Sequence, residues 1–272
     1  MNGKLKEWFL LPRSAGGTSD AMSAKKSAFI QSIYTVLCII LGGAILFGFL
    51  FLSNREWEWE SVLDYKNLFI KGWFITLGVS FFSLLISFML GALLAYFQMS
   101  RWRIFRALGK VVVEFFRGTP LLVQIMFFFY VVADGLGIGN RYVVGVLTLS
   151  LYAGTYIAEI LRGGIQSAGK AQMLASTAIG MTQFESYRYI IIPQTIRAVL
   201  PSLAGQFVAL IKNSSLLSVI AVEEYTYVAR SVNSITYSTL ESYLPLLFGY
   251  FILTLAVSLL SKWIEKKLQY EN

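Results

Sequence analysis

The sequence predicts an all-α, polytopic membrane protein with a bundle of about six transmembrane helices, and three observations support this fold class. Of the 272 residues, 56% are hydrophobic and only 14% are charged, whereas a soluble domain has about 25% charged residues. The hydrophobic residues fall in blocks long enough to cross ~30 Å of hydrocarbon as helices. These blocks do not alternate apolar and polar residues at every second position, as the strands of a membrane β-barrel would.

The charged and metal-binding residue types exclude several classes of function. The formal net charge is +8, but the cations lie where the cytoplasmic loops of a membrane protein carry them, so we predict no nucleic-acid partner. Histidine is absent and Cys38 is the only cysteine, which removes disulfides, zinc sites, iron–sulfur clusters and histidine catalysis. We therefore expect no metal site, no catalytic residue and no enzyme activity in this chain.

The N-terminal part is predicted to contain two segments that precede the main bundle. Residues 1–28 are polar and are expected to form a cytoplasmic tail. Residues 29–67 are expected to form an additional N-terminal span, from about Phe29 to Leu52, followed by an acidic, tryptophan-containing outer loop. A cleaved signal peptide is the competing interpretation, and the length of the apolar stretch argues against it.

The main transmembrane domain is predicted over residues 68–267. Its five spans are expected at about 68–97, 111–132, 142–161, 190–211 and 243–263. In the first of these, Ser83, Ser87, Gly91 and Ala95 are four residues apart and lie on one helical face, which predicts a close helix–helix packing seam. Residues 212–242 are expected to form an outer hairpin that is partly inserted in the membrane.

The distribution of lysine and arginine predicts the orientation. The segments assigned to the inner side carry many more of these residues than the outer segments, which indicates a cytoplasmic location for both termini and for the long loop at 162–190. No internal repeat is evident, so the inverted repeats of many secondary transporters find no support.

The loop at 162–190 contains a near match to a phosphate-binding loop. Gly164, Gly169 and Lys170 have the required spacing, but the next residue is Ala171 where that motif needs serine or threonine for the metal ion. The motif also needs a preceding β-strand, and an apolar span precedes it here. Nucleotide binding by this chain is therefore not expected.

The same loop resembles the cytoplasmic signature of ABC importer permeases. Ala175, Ser176, Gly180 and Pro193 have the signature's spacing, although Leu174 stands where the family has glutamate. Four further blocks resemble the polar amino-acid uptake branch, whose members include histidine and glutamine permeases: FRGTPLLVQ at 116–124, YIAEILRGGI at 156–165, PQ at 193–194 and KNSSL at 212–216.

This resemblance implies a permease of the type I importer fold that lies in the lipid bilayer of a prokaryotic cytoplasmic membrane. It implies a dimer with a second, identical or different, permease chain and a solute-binding protein that delivers the substrate. It also implies a separate ATPase subunit that binds ATP and magnesium and contacts a short coupling helix in the loop. No cofactor is expected in this chain.

The predicted coupling helix lies near Gln172–Ile179, with Gly180 as its C-terminal cap. Because Leu174 cannot pair with a basic residue, two alternatives stay open: a more apolar docking surface, or a different permease chain that supplies the glutamate. The predicted ATPase-coupling residues are Ala171, Gln172, Leu174, Ala175, Ser176, Gly180, Ile190 and Pro193.

Charged residues within spans are costly and are therefore candidates for function. Arg117 and Glu159 are predicted either to pair with each other or to face the translocation path. An amino acid needs both charge signs and polar donors, and the predicted substrate-path residues are Arg117, Thr119, Glu159, Lys212, Asn213 and Ser214.

The leading hypothesis is a permease subunit of an ATP-driven importer of a polar amino acid. The first alternative is the same architecture with another small solute, such as an opine or an organic cation. An ion-coupled secondary transporter is the second alternative, although only Glu114 and Glu159 are available as acidic groups within spans. A membrane enzyme is weaker still, because no nucleophile–base set is evident.

Overall fold

The structure, a computed structural model, describes residues 57–270 together with residues 37, 40–43 and 48 of the N-terminal part. The predicted tail at 1–28 and most of the predicted first span at 29–52 lie outside the described residues. Residues from Glu58 onward form one compact unit, and the fold given below is that of this unit.

The compact unit is helical, and no β-strand occurs between residues 57 and 270. Its α-helices are α1 (Trp59–Leu63), α2 (Lys66–Met99), α3 (Arg103–Gly118), α4 (Leu121–Phe127), α5 (Arg141–Ala178), α6 (Gln183–Ser186), α7 (Ile192–Asn213), α8 (Tyr225–Thr236) and α9 (Thr239–Tyr270). Two π-helical turns (Phe128–Ala133 and Tyr187–Ile191) and one 3-10 helix (Ser214–Ile220) lie between them.

The described residues contain four helices that are long and apolar enough to cross a membrane, and a fifth span if one bent pair is counted. The four lie at Lys66–Met99, Arg141–Ser167, Gln183–Ile220 and Thr239–Ile264. This confirms the predicted class of helical membrane bundle. Since the first predicted span lies outside the described residues, the total of six stays a prediction.

The span predicted at about 111–132 is interrupted, because the chain bends by 104° between α3 and the helix that follows it. Pro120 has no backbone N–H and disfavours a helical conformation at Thr119, which is extended (φ −115°, ψ 143°). The carbonyl oxygen of Phe116 would accept from residue 120 in an unbroken helix. Here it accepts instead from the Gln124 side-chain amide at 2.7 Å, so the bend leaves this acceptor satisfied.

The predicted loop at 162–190 is mostly helical, and the predicted short coupling helix is not a separate element. Helix α5 continues without a break from Arg141 to Ala178. Gly164 does not break the helix but lets α7 approach, because a Cβ at this position would lie 2.2 Å from Cγ1 of Val199. The glycine therefore serves helix packing, and the only turn is the short one between Ala178 and Gln183.

The predicted packing seam on α2 is confirmed. Ser83 and Ser87 are fully buried, and the hydroxyl of Ser83 donates to the carbonyl oxygen of Val146 on α5 at 3.4 Å. A Cβ on Gly91 would lie 2.7 Å from Cγ2 of Ile157, so the backbones of α2 and α5 are in direct contact. This seam joins the two longest helices of the described unit.

The segment predicted as an outer hairpin packs into the bundle at the end opposite to the α5–α6 turn. The 3-10 helix ends at Ala221, which adopts a left-handed conformation (φ 59°), and α8 follows. A Cβ on Gly72 of α2 would lie 2.8 Å from Cγ2 of Val228. Close contact through this glycine holds α8 against α2.

Candidate functional site

The C-terminal end of α5 is capped by Gly180, as the sequence predicts. Gly180 has φ +84°, its N–H donates to the carbonyl oxygen of Thr177 at 3.0 Å, and the N–H of Met181 donates to that of Ser176 at 3.0 Å. These two bonds form a Schellman motif, which needs a left-handed residue at this position and therefore favours glycine. The motif fixes the direction in which the chain leaves α5.

A capping box starts α6 directly after this turn. The backbone N–H of Thr182 donates to Oε2 of Glu185 at 2.8 Å, and the N–H of Glu185 donates to Oγ1 of Thr182 at 3.3 Å. The two side chains thus satisfy donors at the helix start. We refer to residues 172–186 as the α5–α6 junction.

Large apolar side chains of the α5–α6 junction are exposed. The exposed fractions of Leu174, Ile179 and Phe184 are 73%, 75% and 72%. Ser176, by contrast, is buried and its hydroxyl donates to the carbonyl oxygen of Met173. The junction therefore presents an apolar surface in the region where the sequence predicts ATPase docking.

The other predicted coupling residues have different environments. Ala175 is exposed and Gln172 is half-buried, whereas Ala171 lies within α5 but its side chain is outside the described residues. Ile190 belongs to the π-helical turn, and Pro193 follows in the first turn of α7, where its missing N–H costs little. These last two residues shape the return into the bundle.

A cavity of about 850 Å³ lies beside the junction. Its lining includes Met99 at the end of α2, Ile165 and Met173 on α5, and Tyr187 and Ile191 on the returning segment. The residues come from three elements, so a relative movement of α2 and the junction would change the shape of this cavity.

Arg117 and Glu159 lie together, one of the two arrangements that the sequence leaves open. The Glu159 carboxylate accepts from Nε of Arg162 at 3.2 Å and from Nη2 at 2.7 Å, in a two-point contact. Nη1 of Arg117 lies 3.7 Å from Oε2 of Glu159, and its guanidinium carbon lies 5.1 Å from the centre of the Tyr156 ring. We call Arg117, Glu159 and Arg162 the charged cluster.

The charged cluster has an excess of one positive charge and is partly open. The exposed fraction of the Arg117 side chain is 42% and that of Glu159 is 26%. Arg162 already donates to both oxygens of the Glu159 carboxylate, whereas Arg117 makes only the longer contact of 3.7 Å. Arg117 therefore keeps N–H donors that Glu159 does not use. Thr119 lies close by in the sequence, but its hydroxyl donates to the Phe115 carbonyl oxygen and accepts from Gln124.

The remaining predicted substrate-path residues lie elsewhere on the bundle. Lys212 and Asn213 end α7, and the hydroxyl of the buried Ser214 donates to the Ile211 carbonyl oxygen. Leu210, two residues before Lys212, packs in the same core cluster as Leu149 of α5. Leu149 is ten residues before Glu159, or about 15 Å along that helix. The structure therefore does not bring the six predicted residues into one group.

A second polar site, around Glu224, was not predicted as functional. Glu224 has an exposed fraction of 0%. It caps α8 by accepting from the N–H groups of Thr226 and Tyr227, and it accepts from the Tyr250 hydroxyl of α9 at 2.8 Å. Glutamate is not a preferred residue at a helix start, so the sequence offered no signal for this role.

The Glu224 site joins three helices at the end of the bundle away from the junction. The N–H of Tyr225 donates to Oγ1 of Thr76 on α2 at 3.1 Å, and the Tyr225 hydroxyl donates to the Pro245 carbonyl oxygen on α9 at 2.9 Å. Burial raises the pKa of Glu224 to about 7, so its carboxyl titrates near neutral pH. The described residues contain no group of three or more potential metal ligands, here or elsewhere.

Comparison with known proteins identifies the family. Residues 87–270, more than half of the chain, match the model of the family described as binding-protein-dependent transport system inner membrane component. The probable glutamine ABC transporter permease protein GlnM of Bacillus subtilis (strain 168) is 35% identical over 209 residues, which cover 76% of this chain and 96% of the relative. The glutamine transport system permease protein GlnP of Escherichia coli (strain K12) is 30% identical over 217 residues, covering 79% and 99%.

A solved structure supports the same assignment. A chain in the crystal structure of an amino acid ABC transporter with histidines is 33% identical to this chain, with a TM-score of 0.73. The match covers 78% of this chain and 100% of the chain in that structure. These matches confirm the resemblance to ABC importer permeases and the interpretation as a transport subunit and not an enzyme. The chain belongs to the family of binding-protein-dependent transport system inner membrane components, the permease subunits of ABC importers.

Proposed function

We propose that this chain is the permease subunit of an importer for a polar amino acid and that α5 transmits the movement of a partner ATPase to the substrate path. Relatives named as glutamine and as glutamate/aspartate permeases support the substrate class. The observation that carries the proposal is the continuity of α5, which holds Glu159 of the charged cluster and ends at the exposed apolar junction.

The α5–α6 junction is the proposed contact with the ATPase. Leu174, Ile179 and Phe184 are large, apolar and exposed, and a surface of this kind is stabilised when a partner covers it. The position of Leu174 in this surface favours apolar docking over a charge pair at the site where the family has glutamate. ATP and magnesium are bound by the partner subunit in this proposal.

Transmission follows from the contacts of α5. The ion pair between Arg117 of α3 and Glu159 at 3.7 Å and the seam between Gly91 and Ile157 tie α5 to its neighbours. A tilt of α5 at the junction would therefore move α2 and the charged cluster together. We place the junction and both termini in the cytoplasm, on the basis of the lysine and arginine distribution, and we place the solute-binding protein on the opposite face.

The charged cluster is the proposed point of substrate recognition in the path. Arg117 retains unused donors toward an α-carboxylate, and Glu159 holds Arg117 in place while it offers a negative charge near the α-ammonium group. Lys212 and Asn213 are not part of this contact, since they lie at a different level of the bundle. A second permease chain, identical or different, completes the path in the dimer.

Replacing Arg117 with glutamine is expected to raise the KM for an amino acid by about tenfold to a hundredfold, the loss of one charge-assisted hydrogen bond. Uptake of labelled glutamine is measured in proteoliposomes that contain the complete transporter and the solute-binding protein. The Lys212→Gln variant is the matched control, and we expect its KM to equal that of the wild type.

A substrate that lacks the carboxylate separates recognition from structural pairing. The α-amide of glutamine is therefore added as a competitor of labelled glutamine. If Arg117 binds the carboxylate, the amide should compete more weakly than glutamine does in the wild type, and the concentration of amide needed for inhibition should be the same in the wild type and in Arg117→Gln. If Arg117 only holds Glu159 in place, the substitution should lower the apparent affinity for glutamine and for its amide by the same factor. That outcome, or an unchanged KM, would assign the charged cluster to structure and leave substrate recognition to other residues.

A further inference from the structure

Helix α3 has three distinct faces, and only one of them is buried against the described part of the chain. Gly109, Val113 and Phe116 are buried, and a Cβ on Gly109 would lie 3.1 Å from Cβ of Phe97 on α2. This face therefore attaches α3 to the end of α2. The other two faces are exposed among the described residues and differ in chemistry.

The second face of α3 is apolar. Four exposed side chains recur at helical spacing and so lie on one stripe: Ile104, Leu108, Val111 and Phe115. Trp102 is also exposed and lies just before the helix. Such a stripe is unfavourable in water and favourable in the acyl region of a bilayer.

The third face of α3 is basic. It carries four cations and one anion at helical spacing: Arg103, Arg106, Lys110, Arg117 and Glu114. Arg106 donates two hydrogen bonds to the Ser100 carbonyl oxygen and Arg117 belongs to the charged cluster. Among the side chains that the structure describes, no carboxylate lies within ion-pair distance of Arg103 or Lys110.

The position of α3 matches the edge of the hydrocarbon layer. Its last turn contacts Glu159, which lies 18 residues after the start of α5, or about 27 Å along that helix. This length is close to the ~30 Å thickness of the hydrocarbon core. The 104° bend after Gly118 turns α3 away from the direction of the following span, as expected for a helix that lies along the membrane surface.

We propose that α3 is an interfacial helix whose apolar stripe enters the acyl region while Arg103 and Lys110 bind the anionic headgroups of phospholipids. The charge pattern selects this partner, because unpaired cations beside an exposed apolar stripe complement an anionic lipid surface. Since α3 ends in the charged cluster, bound lipid would also hold Arg117 in position against α5.

Lipid binding is tested by bromine quenching of Trp102 fluorescence. The complete transporter is reconstituted in phosphatidylcholine vesicles that contain a minor share of phosphatidylglycerol. In one preparation the phosphatidylglycerol is brominated, and in the other an equal amount of the phosphatidylcholine is brominated. The difference between the wild type and Trp102→Phe gives the signal of this residue. We expect stronger quenching by the brominated phosphatidylglycerol, and a weaker preference at high salt.

Charge variants on the same face provide the matched comparison. Arg103→Gln and Lys110→Gln should each lower the preference for phosphatidylglycerol on the order of fivefold, whereas Glu114→Gln should maintain or increase it. The thermal unfolding midpoint should not change in any of the three variants. Equal quenching by the two lipids, a preference that persists in the Arg103→Gln/Lys110→Gln double variant, or no quenching by either lipid because protein covers this face would overturn the proposal.

Discussion

Replacing Gly180 with aspartate is expected to abolish the coupling of ATP hydrolysis to transport while the transmembrane helices stay folded. Gly180 has φ +84°, and a side chain costs roughly 1–2 kcal/mol in this conformation. A negative charge at the C-terminal end of α5 is also unfavourable, because the last carbonyl groups carry partial negative charge. Both effects distort the Schellman motif, which sets the direction of the proposed contact with the ATPase.

The measurement is ATP hydrolysis and amino-acid uptake by the reconstituted transporter, with helix content checked by circular dichroism. Gly163→Asp is the matched control: Gly163 lies in the same helix, a Cβ there has no neighbour within 4 Å, and its φ is not positive. We expect this variant to retain coupled transport. Normal uptake by Gly180→Asp would contradict the assignment of the junction to coupling.

Replacing Gly91 with leucine is expected to prevent correct packing of α2 on α5. Even the first atom of a side chain would lie 2.7 Å from Cγ2 of Ile157 and 2.9 Å from the Gly154 carbonyl oxygen. Overpacking of a close-packed interface costs typically 1–3 kcal/mol, and leucine adds three further carbon atoms. We expect a much lower yield of folded protein and a lower unfolding temperature in detergent.

The matched control for Gly91 is Gly78 on the same helix, where a Cβ would meet nothing within 4 Å. Gly78→Leu should fold with a yield and an unfolding temperature close to those of the wild type. Gly91→Ala should fall between the two leucine variants. Equal stability of Gly91→Leu and Gly78→Leu would show that the seam is not closely packed in the protein.

Features that depend on neighbouring residues were predictable from the sequence. The apolar block at 68–97 corresponds to α2 (Lys66–Met99), and the stripe that includes Ser87 and Gly91 corresponds to its buried seam. The C-terminal cap at Gly180 was predicted correctly, since glycine in this position is a strong local signal. Hydropathy and small-residue spacing therefore describe the main bundle well.

Features that depend on tertiary contacts were not predictable in this way. Pro120 is visible in the sequence, but the bend also needs Gln124 to satisfy the Phe116 carbonyl oxygen. The glycines after residue 162 suggested a loop, whereas Gly164 is required for the contact with Val199 within an unbroken helix. No local pattern identifies the partners of the buried Glu224, because Tyr250 and Thr76 lie far away in the sequence.

The candidate site was predicted in part. The sequence placed Arg117 and Glu159 as possible partners, and the structure shows the pair together with Arg162. The role of the pair in substrate recognition and the role of the junction in docking stay predictions. Lys212, Asn213 and Ser214 were grouped with the pair by composition alone, and residue types give no information on depth in the membrane.

Site-specific photo-cross-linking from Leu174 tests the central claim most directly. The only cysteine, Cys38, is first replaced by alanine, and a photoactivatable maleimide is attached to Leu174→Cys or to Tyr237→Cys. Tyr237 is more exposed than Leu174 (84% against 73%) but belongs to the opposite end of the bundle. If the α5–α6 junction docks on the ATPase, light should join the Leu174 position to the ATPase subunit and the Tyr237 position should give no such product. An ATPase cross-link from Tyr237, or none from Leu174 in an actively transporting complex, would contradict the account.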